Sequence, residues 1–397
     1  MNDEKDKAAN SPDIATRLIH RAYQPPAGFA AANPAIHHAA TVIFPNVSVM
    51  RARDWQSKQG YTYGLHGTPT SFTLEAQLAE IEKARHCLLT PSGLSAISLV
   101  NFSFLQAGDE VLVPENVYQP NAELAAWLAK FQVSCRTYPV SAGVEIADYF
   151  TEKTRLIWAE VPGSISMEVA DLPALAAAAK TRGILLALDN TWSAGLAFDG
   201  FAHGADIIIQ ALTKYQSGGS DVLMGAVLVR DQHLYVAIQR AHMVLGLGVG
   251  MDDAYLILRN LPSMKLRFEA HDKAARAMAN WFSQRPEIAR VLHPALPDCP
   301  GHAIWQRDFT GAGAVFSVLF DAKYSATQID GFVDSLSIFK LGYSWGGAIS
   351  LVMPYTMQNL RENWPHQGQL VRFYIGLEAL SDLQGDISQA LNTLPQI

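Results

Sequence analysis

The segment from Ala205 to Asp221, ADIIIQALTKYQSGGSD, ends an apolar run on a lysine, Lys214. A lysine amine at the end of a buried strand, among small residues and hydroxyls, is placed to react covalently with a carbonyl compound. The alternative is a lysine whose stem leaves the core and whose ammonium reaches water. A lone lysine favours this alternative, so the other polar residues of the chain must decide between the two.

Two further polar groups follow apolar runs. Ser92-Gly93 follows HCLLT and precedes a helical pattern, and Asp189 ends ILLALD. A helix N-terminus offers free N–H groups and a partial positive charge, which suit a phosphate, although a serine there is also an ordinary helix cap. The carboxylate of Asp189 either caps the turn that follows it or keeps a pyridine nitrogen protonated.

Together these groups predict one binding pocket. Lys214 would hold an aldehyde as a Schiff base, and Asp189 would face the ring nitrogen of the same compound. Gly93 and the hydroxyl of Thr213 would hold a phosphate. The compound that carries an aldehyde, a pyridine nitrogen and a phosphate is pyridoxal 5'-phosphate (PLP), which we therefore predict as the cofactor.

The elements that must position these groups lie between about Arg85 and Arg230. Strands are predicted at HCLLT, EVLVP, RLIWAE, ILLALDN, ADIIIQAL and GAVLVR, and helices at GLSAISLVNFSFL, AELAAWLAKF and LPALAAAAKTRG. Nearly continuous apolar strands that alternate with helices are typical of an α/β fold whose mostly parallel sheet is covered on both faces. Because ligands bind beyond the carboxyl ends of such strands, we expect the three polar groups at one edge of the sheet.

The pattern changes after Arg230. A helical region from about Asp252 to Gln284, interrupted or started near Pro262, precedes strands predicted at GAVFSVLF, SIFKLGYSW and LVRFYIGLE and helices at TQIDGFVDSL and DLQGDISQALNTL. These elements predict a smaller α+β domain with an antiparallel sheet. The domains that we predict are an N-terminal tail and arm against a neighbouring subunit (1–64), a large cofactor-binding domain (65–250), and a connecting helix with the C-terminal α+β domain (251–397).

Composition excludes several classes of function. The 397 residues are 49% apolar and carry a formal net charge of -7, which argues against nucleic acid or an anionic membrane as a partner. Three cysteines without metal-site spacing suit a reducing compartment. The N-terminus, MNDEKDKAANSPD, lacks the apolar stretch of a secretory signal and is expected to be disordered, and no run of 18 apolar residues occurs. We predict a soluble cytoplasmic protein.

Two other motifs are not interpreted as sites. GLGVG at Gly246 to Gly250 follows a helical pattern instead of a strand, so it is not a dinucleotide-binding fingerprint. His37-His38 has no third ligand at a recognisable spacing, so we predict no metal site.

Seven segments, in order, resemble the Cys/Met-metabolism family of PLP-dependent enzymes. They are YGLHGTPTSFTLEAQLAEIE, PSGLSAI, EVPGSISMEV, LDNTWSAG, ALTKY, FKLGYSWGG and LVRFYIGLE. The resemblance covers the chain apart from its N-terminal tail. It implies fold type I of the PLP-dependent transferases, with a central seven-stranded-type sheet, and a homotetramer whose active sites are shared between subunits.

The resemblance also implies roles for individual residues. Lys214 would bind the cofactor and carry protons, Asp189 would pair with the pyridine nitrogen, and Tyr118 would stack on the ring and assist catalysis. The implied phosphate-binding residues are the amides of Gly93 and Leu94, the Thr213 hydroxyl, and Tyr63 of a neighbouring subunit. The implied substrate-binding residues are Arg372, which would clamp the carboxylate, with Ser344, Trp345 and Tyr343.

The stretch Tyr343-Ser344-Trp345 resembles family members that eliminate a thiol from Cβ. Such a reaction removes one proton, at Cα, whereas chemistry at Cγ needs a second proton shift and more room. The expected activity is that of a carbon–sulfur lyase of transsulfuration and methionine biosynthesis, converting L-cystathionine to homocysteine, pyruvate and ammonia. Cystine or another cysteine conjugate is an alternative substrate. The alternative functions are a γ-lyase or transferase acting at Cγ, an aminotransferase, or a PLP-binding protein without turnover.

Four departures from the family pattern stand out. Leu65 replaces an arginine that usually completes the phosphate site across the subunit interface, so either His66 or another donor compensates or cofactor affinity is lower. Gln216 stands where an apolar residue is usual, and Gly219 where histidine or glutamine is usual. Ala348-Ile349 also differ from the usual residues, which implies a reshaped substrate pocket.

Overall fold

The computed structural model describes residues 12–20, 23, 25, 27–29, 31–361 and 363–395, so most of the predicted N-terminal tail lies outside the described residues. The α-helices are α1 (Ile14–Ile19), α2 (Val47–Arg51), α3 (Pro69–Ile81), α4 (Gly93–Phe104), α5 (Gln119–Trp127), α6 (Leu172–Thr181), α7 (Gln232–Leu245), α8 (Met251–Asn260), α9 (Met264–Phe282), α10 (His302–Asp308), α11 (Ala326–Asp334) and α12 (Leu380–Leu391). Short 3-10 helices span Gly64–His66, Leu128–Phe131, Val140–Tyr149, Leu261–Ser263 and Met357–Asn359.

Two β-sheets organise the chain. The strands are β1 (His86–Thr90), β2 (Glu110–Pro114), β3 (Ser134–Tyr138), β4 (Thr154–Glu160), β5 (Leu185–Asp189), β6 (Ile207–Ala211), β7 (Gly225–Val229), β8 (Ile288–Leu292), β9 (Val315–Phe320), β10 (Lys340–Leu341), β11 (Leu351–Tyr355) and β12 (Leu370–Tyr374). The large sheet has seven strands in the order β1-β7-β6-β5-β4-β2-β3, and the small sheet has five in the order β10-β11-β12-β9-β8.

The large sheet confirms the predicted mostly parallel α/β fold. Its strand β7 runs antiparallel to both neighbours, and the other pairings are parallel. Successive residues of β6 point into two different apolar clusters: Ile208 belongs to one, and Ile207 and Ile209 to the other. A strand buried on both faces needs apolar residues at every position, which is why these strands are continuous apolar runs.

Secondary-structure prediction was wrong in two ways: one predicted strand is much shorter than expected, and three strands of the two sheets were missed. The strand predicted at SIFKLGYSW is limited to Lys340–Leu341, because Ser344 and Gly346 have φ angles of 85° and 94°, which end an extended chain. Sequence analysis also missed β3, β8 and β11. Strand β3 has mostly exposed or half-buried residues at the edge of the large sheet, so its sequence carries little apolar signal.

Among the described residues, no helix is long and apolar enough to cross a membrane.

A buried carboxylate fixes the segment that enters the small sheet. Asp386, on α12, is 5% exposed and accepts hydrogen bonds from the backbone N–H groups of Ser337 (2.7 Å), Ile338 (2.8 Å) and Phe339 (3.1 Å). Buried N–H groups must be paired. Asp386 therefore holds the chain just before the loop 342–347, which reaches the large sheet.

We expect Asp386→Ala to lower the free energy of unfolding by about 3 kcal/mol, because three backbone donors lose a charged acceptor. Urea unfolding of the purified protein measures this change. Asp382→Ala, an exposed position on the same helix, is the matched control and should change stability by less than about 0.5 kcal/mol. Equal effects of the two substitutions would contradict the assigned role of Asp386.

Candidate active site

A cavity lies beyond the carboxyl ends of strands β4, β5 and β6 and beside the start of α4. It brings together residues that are far apart in sequence. Seven of the predicted site residues line it: Gly93, Leu94, Tyr118, Asp189, Thr213, Lys214 and Trp345. The strand order explains this convergence, because parallel neighbours end at the same edge of a sheet.

The start of α4 is packed tightly against the neighbouring strand ends. The side chain of Ser92 caps the helix by accepting a hydrogen bond from the amide of Ser95 at 3.0 Å. A Cβ atom on Gly93 would lie 2.7 Å from the Cβ of Ala211, and one on Gly225 would lie 2.3 Å from the carbonyl oxygen of Ser92. Glycine at these two positions lets the first turn of α4 approach the cavity, where its dipole favours an anion.

Asp189 ends β5 at the wall of the cavity. Its Oδ1 accepts a hydrogen bond from the amide of Thr191 at 3.0 Å. Protein encloses the carboxyl group on the sides away from the cavity, and this burial raises its pKa above the usual value, opposed by the Thr191 hydrogen bonds and the positive charge of Lys214. A ligand group with positive charge would stabilise the ionised form.

Lys214 lies in the turn after β6, against the loop 342–347. Its Nζ donates a hydrogen bond to Ser344 Oγ at 2.7 Å and lies 4.5 Å from the centre of the Trp345 ring. Burial, and then the positive charge of Arg372, lower the pKa of Lys214 to about 8, while Asp189 acts in the opposite direction. About a tenth of this amine is therefore neutral at pH 7, and able to act as a nucleophile or base.

Backbone geometry holds the loop 342–347 against Lys214. Ser344 has a left-handed φ of 85°, which is a strained conformation for a residue with a side chain. At Gly346 the φ is 94°, and a Cβ there would lie 2.4 Å from the carbonyl carbon of Lys214. Only glycine allows this approach, so the loop is fixed where its hydroxyl and indole face the amine.

Tyr118 lines the cavity, whereas Arg372 lies outside its lining and contacts Ser164 and Trp345, which do line it. Tyr118 precedes α5 and is 38% exposed; its pKa is raised by burial and then by the negative charge of Asp189. Arg372, on β12, is 7% exposed and donates from Nη1 to the carbonyl oxygen of Ser164 at 3.2 Å. That is the one hydrogen bond recorded for this guanidinium among the described residues, which leaves its other N–H groups for a carboxylate.

Two predicted site residues lie away from this cavity. Tyr343 is 73% exposed and does not line it. Tyr63 is 48% exposed and lines a separate open cleft with Leu65 and Gly248. This location is the arm of the chain, where Gly64 donates its N–H to the Ala40 carbonyl at 2.8 Å.

Sequence analysis assigned no role to two polar residues of the cavity, Glu160 and Ser164. Glu160 ends a predicted strand in the same way as Asp189, so its position carried a usable signal. Ser164 lies in the loop after β4, and its place in the cavity could not be read from the sequence.

A buried polar network lies beneath the cavity and accounts for Gln216. Its Nε2 donates to Gln210 Oε1 at 3.0 Å, Gln210 Nε2 donates to Glu82, and Asn190 Nδ2 donates to the same carboxyl at 3.0 Å. Burial raises the pKa of Glu82 to about 7. Gln216 is therefore paired in the core beside Lys214, where the family resemblance implied an apolar residue.

The donor set of the cavity fits PLP. Lys214 provides an amine for an aldehyde, and the carboxyl of Asp189 suits a pyridine nitrogen. The half-exposed ring of Tyr118 offers a stacking surface, and the start of α4 offers unpaired N–H groups for a phosphate. All four groups line one cavity.

The low pKa of Lys214 predicts its reactivity in cofactor-free protein. We expect reductive methylation of Lys214 by formaldehyde and cyanoborohydride to reach half its maximal rate near pH 8, because only the neutral amine reacts. Mass spectrometry of the Lys214 peptide measures the rate, with the exposed Lys153 as an internal reference. Arg372→Leu should move the midpoint to higher pH and Asp189→Asn to lower pH. A midpoint unchanged by both substitutions would contradict the electrostatic assignment.

Comparisons with known proteins agree with this geometry. The family model for Cys/Met metabolism PLP-dependent enzymes matches residues 15–392. The cystathionine beta-lyase of Bordetella avium is 37% identical over 93% of this chain and 94% of its own, and that of Escherichia coli strain K12 is 32% identical over 94% and 96%. The crystal structure of cystathionine gamma synthase from Xanthomonas oryzae pv. oryzae, in complex with aminoacrylate and cysteine, superposes with a TM-score of 0.89 at 29% identity over 97% of this chain and 99% of that one. The chain belongs to the Cys/Met metabolism family of PLP-dependent enzymes.

Proposed function

We propose that this enzyme is a cystathionine β-lyase, which converts L-cystathionine and water to homocysteine, pyruvate and ammonia. The observation that carries the proposal is the contact between Lys214 and the Ser344-Trp345 segment at the cavity. The cystathionine beta-lyases among its relatives support the same reaction.

The residues that would hold the cofactor follow from the cavity. Lys214 would bind the aldehyde, Asp189 the ring nitrogen, and Tyr118 one face of the ring. The phosphate would lie at the start of α4, on the amides of Gly93 and Leu94 and the Thr213 hydroxyl. When bound, PLP withdraws electrons from the α-carbon of an attached amino acid.

Arg372 would bind the substrate and Lys214 would transfer the protons. The guanidinium of Arg372 is buried and binds the substrate α-carboxylate as a planar fork of donors, and the Ser344 hydroxyl assists. Lys214, with a pKa of about 8, removes the proton from Cα as a neutral amine. Its ammonium then delivers a proton to the sulfur that leaves Cβ. Tyr118 lies beside the same cavity and assists this transfer.

Trp345 favours reaction at Cβ over reaction at Cγ. The ring of this residue is 7% exposed and lies over the Lys214 amine, so it occupies space that a longer path of proton transfer would need. The structural similarity to a cystathionine gamma synthase keeps a Cγ-acting enzyme as the second candidate. The two reactions give different products from the same substrate.

We also propose a homotetramer in which the arm of one subunit completes the site of another. The exposure of Tyr63 in an open cleft, away from the cavity of its own chain, supports this assembly. In it Tyr63 would contact the phosphate in the neighbouring subunit. Analytical ultracentrifugation of the holoenzyme measures its mass, and a monomer would contradict the proposal.

Product analysis tests the reaction. Holoenzyme with L-cystathionine should release pyruvate and homocysteine in equal amounts, and Lys214→Ala should lower the rate by at least about 1,000-fold. Lys153→Ala, at an exposed position, is the control and should keep wild-type activity. Release of cysteine and 2-oxobutyrate would establish the Cγ-acting alternative instead.

A second test concerns the carboxylate site. We expect Arg372→Leu to raise KM for L-cystathionine by roughly 10- to 100-fold, because a charged hydrogen-bonding partner is lost. Arg372→Lys should recover only part of the loss, since an ammonium cannot bind a carboxylate through two parallel bonds. Steady-state kinetics at several substrate concentrations measure both variants. A KM unchanged by Arg372→Leu would place the carboxylate elsewhere.

A further inference from the structure

Glu160 is a buried carboxyl group in the cavity for which the proposed reaction has no task. It ends β4, is 6% exposed and lines the same cavity as Lys214. In the parallel pairing of β4 with β5 it stands directly beside Asp189. Two carboxyl groups on adjacent strand ends are costly to keep ionised, so the position needs a physical reason.

The contacts of Glu160 join two separate segments. The amide N–H of Tyr118 donates to its Oε2 at 2.6 Å, and the hydroxyl of Ser164 is hydrogen-bonded to its Oε1. Tyr118 begins the segment that leads into α5, and Ser164 lies in the loop after β4. A single carboxyl group is therefore the common partner of both.

This connection continues to Arg372. The guanidinium donates to the carbonyl oxygen of Ser164 at 3.2 Å, and its remaining recorded contacts in the described chain are with the rings of Trp345 and Tyr355, at 5.4 Å and 5.2 Å. Ring contacts restrain a cation without fixing the direction of its N–H groups. The hydrogen bond to the carbonyl oxygen of Ser164 therefore sets the orientation of the Arg372 guanidinium. Glu160 in turn fixes the position of Ser164 through its hydroxyl.

The charges around Glu160 favour its protonated form. Burial and the neighbouring charge of Asp189 raise its pKa to about 8, opposed by the hydrogen bonds from Ser164 and Tyr118. In a neutral carboxyl group both oxygens can still accept hydrogen bonds, Oε1 from the Ser164 hydroxyl and Oε2 from the Tyr118 amide. Both contacts then persist without a second negative charge beside Asp189. The positive charge of Arg372 interacts with Glu160 and favours its ionised form.

We propose that Glu160 is a positioning residue of the substrate-carboxylate site: it fixes the Tyr118 and Ser164 segments and, through the Ser164 carbonyl, orients Arg372. The inference rests on the proposed function in assigning the substrate carboxylate to Arg372. Glu160 itself does not contact the reacting atoms in this role.

The test compares Glu160→Ala with Glu160→Gln in the holoenzyme. Alanine removes both contacts. Glutamine keeps both: its carbonyl oxygen accepts from the Tyr118 amide, and its N–H group donates to the Ser164 hydroxyl, which can act as acceptor as well as donor. We expect Glu160→Ala to weaken binding of L-alanine by about tenfold or more and Glu160→Gln to remain within about threefold of the wild type. L-Alanine has the α-carboxylate and no leaving group, and its binding is followed by the absorbance of the cofactor.

Kinetics and a double variant separate positioning from general damage. With L-cystathionine, Glu160→Ala should raise KM more than it lowers kcat, and in an Arg372→Leu background it should raise KM little further. Glu110→Ala is the matched control, because Glu110 is also buried but begins β2, at the amino-terminal ends of the parallel strands and away from the cavity. This substitution should leave L-alanine binding unchanged.

The outcomes distinguish the two proposals. The role of Glu160 would be overturned if Glu160→Ala and Glu160→Gln lost L-alanine binding equally, or if neither lost it. It would also be overturned by additive effects of Glu160→Ala and Arg372→Leu, or by an equal loss of binding in Glu110→Ala. A wild-type enzyme that does not bind L-alanine would overturn the carboxylate site as described. A wild-type enzyme that binds L-alanine normally and forms no pyruvate from L-cystathionine would overturn the β-lyase proposal and leave the role of Glu160 intact.

Discussion

The burial of the Lys214 amine is the constraint on which the rest of the site depends. An ammonium is strongly hydrated, so enclosing it disfavours the charged form. Arg372 adds to this effect and Asp189 opposes it. The balance leaves an amine that is available as a nucleophile near neutral pH, and it exists only because three groups from different parts of the chain meet within one enclosed space.

Enclosure of Lys214 requires contact between the two sheets. Residues of the large sheet and its helices surround the expected positions of the cofactor ring and phosphate, whereas Ser344, Trp345 and Arg372 arrive from the small-sheet side. The left-handed conformation of Ser344 and the close approach at Gly346 are backbone costs of this contact. The residues that we propose to favour chemistry at Cβ lie at this junction.

A layer of buried polar side chains supports the catalytic groups from below. Asn190 and Gln216 lie next to Asp189 and near Lys214 in sequence, and both belong to the network around Glu82 and Gln210. Buried polar groups are costly unless paired, so the partners must keep their relative positions. The network therefore ties the end of β5 to the turn after β6, beneath the cavity that these segments line.

The sequence by itself determined the kind of fold and identified polar residues that the fold brings to one cavity. Continuous apolar strands predicted the two-sided parallel sheet, and Lys214, Asp189 and Gly93 were recognisable because each follows or ends such a run. Segment order also identified the family. These features are local: each depends on a few neighbouring residues and on the rule that parallel strands end at one edge.

Only the tertiary structure decided how the loop 342–347 and Arg372, on the side of the small sheet, are placed relative to Lys214 and Asp189. The loop at Ser344 was predicted as a strand because its residues favour that conformation, and contact with Lys214 overrides the preference. Glu160 had a signal equal to that of Asp189, but its link to Arg372 passes through a backbone carbonyl, which no residue type encodes. Contacts between residues that are distant in sequence form only when the chain has folded. The pKa values of the site depend on these contacts and on burial, because both determine which groups share a volume that excludes water.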